Sequence, residues 1–490
     1  MMAGLIAIMA AGLAADLVAQ GFPLAAIARL DVNEARHLDS LLNRSSNQIV
    51  AVVFTTVAIA VPLTANMYSV KFLEFFLKDL VNATVLTIVL VANLGAVWVG
   101  YGLKQEFVPR LEIHALLALT VLCFALVIPY LYYVFRFLHP HTLLGKLESE
   151  IVGGFSRASR HPQHAAGIRE RVAQGIEHVA NVAIRSVDRA DRSTAIESVL
   201  TLDRVARSFW RFKPALPPSW FETDANLFLG FSSQAVAEFA ASRTWVEMKV
   251  FSQLRQVMSA AVPSMHDLVS TIAKVSRKLG LEDAARHDPA LRDMVIDYFN
   301  TFVRLALNRR DVRSLFILFD QYRTFAEALC VEHAEEISAI ADNFQYYGRA
   351  AREQQMPFVV ELVAHDLGAL VEHAWGARAA NREQLVDRFV AYEADAPSPL
   401  PGVKKAQALV ASYFLLEGEE EPVERIARSF AGLGRDFVAS LRDELLRVTR
   451  EKYWEVNERR MNIDYVPEPR REKLREFFAG LADARREVES

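Results

Sequence analysis

Little in this 490-residue chain marks a secreted, disulfide-held or nucleic-acid-binding protein. It has two cysteines, Cys123 in an apolar run and Cys330 in a charged segment, too few for a disulfide framework. Each reads better as a small buried apolar side chain than as half of a redox pair. Gly and Pro are scarce, 21 and 18 residues, or about 8% where about 12% is usual. Few turns and few alternating β-branched runs exclude a sheet-rich fold and point to long helices. The net charge of −4 is small and spread out, so no nucleic acid or other polyanion is implied as a partner. The chain has no phosphate-binding P-loop, no dinucleotide glycine fingerprint, no G-x-S-x-G and no H-E-x-x-H. Neither a cofactor nor an enzymatic activity is therefore expected.

Charge is also missing from one end. Residues 1–137 hold 8 Lys and Arg and 8 Asp and Glu, whereas 47 basic and 51 acidic residues follow Phe137. The contrast predicts a membrane part followed by a charged soluble part. Ala115–Val134 is twenty residues without a charge, which at 1.5 Å per residue covers a hydrocarbon core of about 30 Å. Tyr130, Tyr132 and Tyr133 form an aromatic belt near its end, before Arg136. Leu80–Leu103 is equally clear, and the short link Lys104–Glu112 makes the two an antiparallel hairpin. Ile49–Ala65 is at the short limit for a span and carries Pro62, which would kink it. Met1–Val18 is apolar but contains Asp16 and lacks the basic start of a signal peptide. The expected spans are about 3–19, 49–65, 80–103 and 113–136. Arg136, Lys146, Arg157 and Arg160 mark the exit of the last of them, which favours a cytoplasmic location for the large C-terminal part.

Polar side chains inside lipid are costly and thus informative. Thr55, Thr56, Thr64, Asn66, Asn82 and Asn93 could face one another across the bundle. They would serve either as interhelical hydrogen bonds or as a polar path for ions or small solutes, with the first favoured. Residues 66–79 read as an amphipathic elbow at the membrane surface, with Phe72, Leu73, Phe75, Phe76 and Leu77 in the acyl boundary and Lys71, Lys78 and Asp79 reaching water. Ser69, Lys71, Leu73, Phe76, Lys78 and Asp79 would form a coupling element if the elbow passes force between membrane and soluble parts.

The segment Thr64–Asp79 (TANMYSVKFLEFFLKD), then an apolar span, then Phe107-Val108-Pro109, resembles the bacterial predicted membrane protein family catalogued as domain of unknown function 2254. That family carries S-S-Q-F-S-P-R-x-L-R-x-F-L-R-D after its second span. Ser69, Leu73, Phe76, Leu77 and Asp79 match in register, while Val70-Lys71 stand for its Pro-Arg, and Glu74 and Lys78 for two arginines. A second echo lies at 183–204, where Ala195, Leu202, Asp203 and Arg204 fit. The resemblance covers about residues 45–210. It implies a four-span bacterial inner-membrane protein and brings no activity with it.

Past Phe137, His139-Pro140-His141 predict a turn, and Gly153-Gly154 and His161-Pro162 predict breaks. Val172, Ile176, Val179 and Ala183 then mark one face of a helix. Asp191 or Ser193 would cap the next, through Trp210, and Lys213–Pro218 reads as a linker. Turns at Ser242-Arg243, Asn308–Asp311 and Ala380–Arg382 divide the rest of the chain into helical hairpins spaced by about 55–70 residues, which no standard repeat length fits. A solenoid-like stack and an irregular bundle both remain open, within an all-α fold. The expected divisions are 1–137, a juxtamembrane region 138–212, a hairpin domain 219–394 and a C-terminal section 402–490.

Among the histidines, His139 and His141 read as turn residues and His161 and His164 as linker residues. Glu361 and His365 lie one helical turn apart, as a metal pair could, but His373 is turned about 80° away. A polar face between helices is the favoured reading, with no metal. The sequence thus predicts a membrane-anchored helical module that binds a protein partner or another copy of itself, the alternative being an oligomeric channel gated by the soluble part.

Overall fold

Asp31 starts the first described helix with a capping box: its carboxylate accepts from the Val32 N–H at 2.7 Å, while its own N–H donates to Glu34 at 3.0 Å. The computed structural model describes residues 31–489 apart from 70, 106, 224, 229, 395, 454–458 and 460. The expected span at 3–19 lies outside them. The helix begun at Val32, α1 (Val32–Met67), runs for 36 residues and so starts well before Ile49. The polar stretch with Arg36, His37, Asp39 and Arg44 is helical too, and Pro62 sits inside the helix without ending it.

Helix α2 (Lys71–Lys78) is the elbow. It leads into α3 (Leu80–Gly102) and then α4 (Arg110–Phe137). Lys104 and Phe107 exchange backbone hydrogen bonds of 3.1 and 3.3 Å, closing the turn of the expected antiparallel hairpin. Helices α1, α3 and α4 are long and apolar enough to cross a membrane. Ala35, Leu42, Ala96, Val99, Ile113 and Leu116 interlock where the three meet. Leu90, Val91, Leu94, Val97 and Trp98 remain exposed on the outer face of α3, as a helix bathed in lipid requires.

The chain divides into two compact units, one ending at Lys146 and one from Leu147 onward. Helix α5 (Pro140–Arg160) passes through Gly153-Gly154 without the expected break. The glycines there permit close packing instead. A Cβ at Gly154 would fall 2.5 Å from Val172 Cγ2, on α6 (Ala165–Asp188), and one at Gly175 would fall 2.7 Å from Ile151 Cγ1. Asp191 caps α7 (Arg192–Phe212) by accepting from the Thr194 N–H at 3.2 Å. Lys213–Ala215 and Pro218–Phe221 then form short helical turns at the expected linker.

After α8 (Ser233–Ala241) the chain is a series of helical hairpins: α9 (Trp245–Ala261) with α10 (His266–Gly280), α11 (Pro289–Asn308) with α12 (Val312–Leu329), α13 (Ala334–Glu353) with α14 (Pro357–Gly376), and α15 (Arg382–Ala391) with α16 (Pro401–Glu417). The second helices start at 266, 312, 357 and 401, steps of 46, 45 and 44 residues. This is tighter than the expected 55–70. The step recurs in side-chain bonds between neighbouring hairpins: His266–Asp311 at 3.1 Å, Arg292–Glu336 at 2.8 Å, Arg323–Asp366 at 3.0 Å and Trp375–Glu419 at 3.2 Å. Each hairpin therefore stacks on the next, and among the described residues there is no β-strand.

The turns share one device. Ala190, Arg243, Arg310, Gln355 and Arg378 adopt positive φ, and each following residue donates its N–H to a carbonyl five residues back, at 2.8–3.0 Å. This is the Schellman closure, held here by non-glycine residues. Two of the expected turns coincide with it, at Arg243 and Arg310. The third turns at Arg378, just before Ala380. Pro289, Pro357 and Pro401 occupy first-turn positions, where the missing N–H is no loss. Helices α17 (Glu420–Arg428), α18 (Arg435–Arg447) and α19 (Glu468–Glu489) complete the fold.

Candidate functional site at the membrane elbow

The elbow is built from an eight-residue helix whose two apolar faces differ. Phe72 and Phe76, four residues apart on one side of α2, are buried against Phe137 at the end of α4, with ring centroids 5.4 and 5.6 Å away in edge-to-face geometry. Leu73 and Leu77 point outward, 40% and 68% exposed. Only part of the apolar set expected in the acyl boundary is thus available to lipid. Ser69, buried ahead of the helix, accepts from the Lys71 N–H at 3.3 Å. Lys71 and Lys78 flank Glu74 at 2.8 and 2.5 Å. Their hydrogen bonds pull its carboxyl down to about 2, so Glu74 is ionised at any physiological pH.

Asp79 is where the elbow is tied down. Its Oδ1 accepts from the Asn82 N–H at 3.2 Å, capping α3, and from the Tyr133 hydroxyl at 2.7 Å on α4. Its Oδ2 meets Lys146 Nζ at 3.3 Å. Burial raises the affinity of Asp79 for a proton, but the bonds from Tyr133, Asn82 and Lys146 outweigh this and hold its carboxyl below the ordinary aspartate range. The Lys146 ammonium also lies 3.9 Å from the centre of the Phe137 ring, the same ring that receives Phe72 and Phe76. Asn82, 1% exposed, donates from Nδ2 to the Phe76 carbonyl at 3.2 Å. One carboxylate and one aromatic ring thus fasten α2, the start of α3, the end of α4 and the start of α5.

The other expected polar residues have separate surroundings within the single chain. Thr56 and Thr64 donate their hydroxyls back to Val52 and Ala60 of the same helix at 2.8 and 2.9 Å. Thr55 and Asn66 lie on exposed positions of α1. Asn93 donates to Asn47 at 2.7 Å, and Asn47 in turn to Asn43 at 2.9 Å, which links α3 to α1. Asn82 and Asn93, though on the same helix, serve different partners. Sequence reasoning missed Asn43 and Asn47 as partners, although their four-residue spacing was visible. It placed Tyr133 in an aromatic belt and Lys146 among exit charges without joining either to Asp79.

In the second unit a buried ionic group had no sequence signal. Arg323 and Arg459 both bind Asp366, Arg459 through two bonds of 2.7 Å. Arg470 grips Glu372 through bonds of 3.0 and 2.6 Å. They line a cavity of about 220 Å³, and every one of these guanidinium groups already faces a carboxylate.

Residues 1–199 match the family model DUF2254, described as "Predicted membrane protein". The match contains α1 to α6 and hence the whole elbow, and its description agrees with the three helices long and apolar enough to cross a membrane. No curated protein matches the chain. Among solved structures it is similar to a "Circular tandem repeat protein with novel repeat topology and enhanced subunit contact surfaces", with 15% identity, a TM-score of 0.32, and coverage of 94% of this chain and 98% of the other.

Proposed function

We propose that this membrane protein is a non-catalytic, membrane-anchored scaffold whose stacked hairpins bind a protein partner or a second copy, on the cytoplasmic side of a bacterial inner membrane. One observation carries the reading: four of the six polar residues singled out in the apolar helices bond within the chain, Asn93 with Asn47, Asn82 with the Phe76 carbonyl, and Thr56 and Thr64 with their own backbone. The Asn93–Asn47 bond joins two helices, at roughly 0.6–2 kcal/mol, and the threonine bonds keep those hydroxyl hydrogens within their own helix. The basic residues Arg136, in the last turn of α4, and Lys146, Arg157 and Arg160 beyond it support the cytoplasmic orientation.

The rival role, an oligomeric channel, is separated by reconstitution in liposomes at high protein load. The scaffold reading expects vesicles that stay sealed to ions, with Asn93→Leu costing stability alone. Reproducible conductance that disappears in Asn93→Leu would overturn it.

A further inference from the structure

Helix α14 places Glu361 and His365 one turn apart on the same face, a spacing at which two side chains can share an ion. The chain returns to that face between α18 and α19. There the Asp464 N–H bonds the Asn462 side chain at 3.1 Å, fixing a turn that presents Asp464 to the helix. We propose that Glu361, His365 and Asp464 form a binding site for one divalent transition-metal ion of the size of Zn²⁺, which fastens this segment to the hairpin stack.

One ligand atom from each of the three residues lies within 4.8 Å of the other two. The His365 side chain is only 9% exposed, and its Nε2 has no hydrogen-bond partner. It sits 3.2 Å from Asp464 Oδ1, another buried atom without one. The two atoms face each other as an ion pair only when the ring carries its second proton; beside a neutral ring, a shared cation would satisfy both. Ligands at 2.0–2.2 Å from a tetrahedral ion lie about 3.3–3.6 Å apart, so a pair near the 4.8 Å limit would close by about 1.2–1.5 Å as the ion binds.

The surrounding charges fit. Lys405 Nζ approaches Asp464 on its other oxygen, Oδ2, at 3.6 Å, and binds Glu444 at 2.8 Å. Glu361, Asp464 and Glu444 against Lys405 leave two negative charges, the complement of a divalent cation. Glu361 is held in place by the first turn of α16, since a Cβ at Gly402 would lie 2.6 Å from its side-chain carbons. An imidazole beside two carboxylates selects Zn²⁺, Mn²⁺ or Fe²⁺ over Mg²⁺ and Ca²⁺, which prefer all-oxygen shells. Asp464, about a hundred residues away in sequence, is the ligand that this proposal adds to the polar face expected of Glu361 and His365.

The bland rival is an ion pair of protonated His365 with Asp464. The test uses the full-length chain in detergent, loaded with Zn²⁺, desalted and assayed for bound metal by mass spectrometry, beside Asp464→Asn, His365→Gln and Glu444→Gln. The site predicts one equivalent fewer in Asp464→Asn and in His365→Gln than in the native chain, with at least a tenfold loss of affinity, and no loss of that equivalent in Glu444→Gln. Chelator should lower the melting temperature of the native chain and leave that of Asp464→Asn unchanged. A native chain that retains no zinc, or variants that retain as much as the native chain, would overturn the proposal whether or not they are less stable.

Discussion

Replacing Asp79 by alanine removes three different bonds at one point, and each has a known scale. The cap on α3 is worth about 1 kcal/mol. The bond from the Tyr133 hydroxyl to a carboxylate, 2.7 Å long and partly buried, is worth about 1.5–3 kcal/mol. The Lys146 pair, at 3.3 Å with the lysine a third exposed, adds about 0.5 kcal/mol after solvent screening. Asp79→Ala should therefore destabilise the membrane unit by about 3–5 kcal/mol. Asp79→Asn keeps an oxygen for the cap and for Tyr133 but loses the charge, so it should lose only about 1–2 kcal/mol. The assay is reversible unfolding of the full chain in mixed micelles, followed through the helices of this unit, with Tyr133→Phe as the partner in a double-mutant cycle. The coupling energy between Asp79 and Tyr133 should be at least about 1 kcal/mol. A loss below about 1 kcal/mol for Asp79→Ala, or a coupling of zero, would refute the assignment of Asp79 as the point that ties the elbow down.

Three further outcomes rest on the packing. Phe137→Ala, which strips the ring shared by Phe72, Phe76 and Lys146, should destabilise the unit by about 3–5 kcal/mol and expose the elbow to limited proteolysis; unchanged digestion would contradict the contacts described. Gly154→Ala drives a methyl to 2.5 Å from Val172 and should cost about 1–3 kcal/mol in a thermal melt, with Val172→Ala in the same chain restoring most of the loss. Lys213→Met strands Glu247, a buried carboxylate bonded by Lys213 at 2.7 Å and Trp210 at 3.0 Å, and should cost about 3–5 kcal/mol at pH 8. Burial already raises the carboxyl of Glu247 above its ordinary range despite Lys213. Its penalty therefore grows as pH rises above the unfolded-state value and fades as pH falls below the folded-state one. Melts of Lys213→Met at pH 5 should show a smaller deficit than at pH 8, and a deficit independent of pH would contradict the assignment.

How much of this was legible in the sequence depended on the range of the interaction. Uncharged runs of twenty residues announce helices for lipid, and α3 and α4 appear where those runs lie, because the bilayer imposes one length. The start of α1 was hidden since Arg36, Asp39 and Arg44 break the apolar run, yet Asp31 and Glu34 spelled its capping box. Gly153-Gly154 was read as a break because propensity speaks only of the isolated helix; in the fold, Val172 needs the missing Cβ. The amphipathic elbow was visible, but its faces were assigned to lipid before Phe137 could claim Phe72 and Phe76. Asp79 with Tyr133 and Lys146, and His365 with Asp464, join positions 54 to 99 residues apart, which no local pattern encodes. The hairpin step of 44–46 residues was missed because stacking conserves helix geometry and not residue identity, so only turns with Arg243 and Arg310 surfaced as signals.

The contact between Asn47 and Asn93 tests the central claim most directly, since a scaffold uses these side chains inside one chain and a ring-shaped pore would turn them toward a neighbour. In a background with Cys123 and Cys330 replaced by alanine, Asn47→Cys with Asn93→Cys is treated in native membranes with a short bifunctional thiol reagent. The 2.7 Å bond between the native side chains predicts a cross-link within one chain, read as an intramolecular peptide pair with no dimer on a gel. Cross-linked dimers in place of that pair would contradict the account.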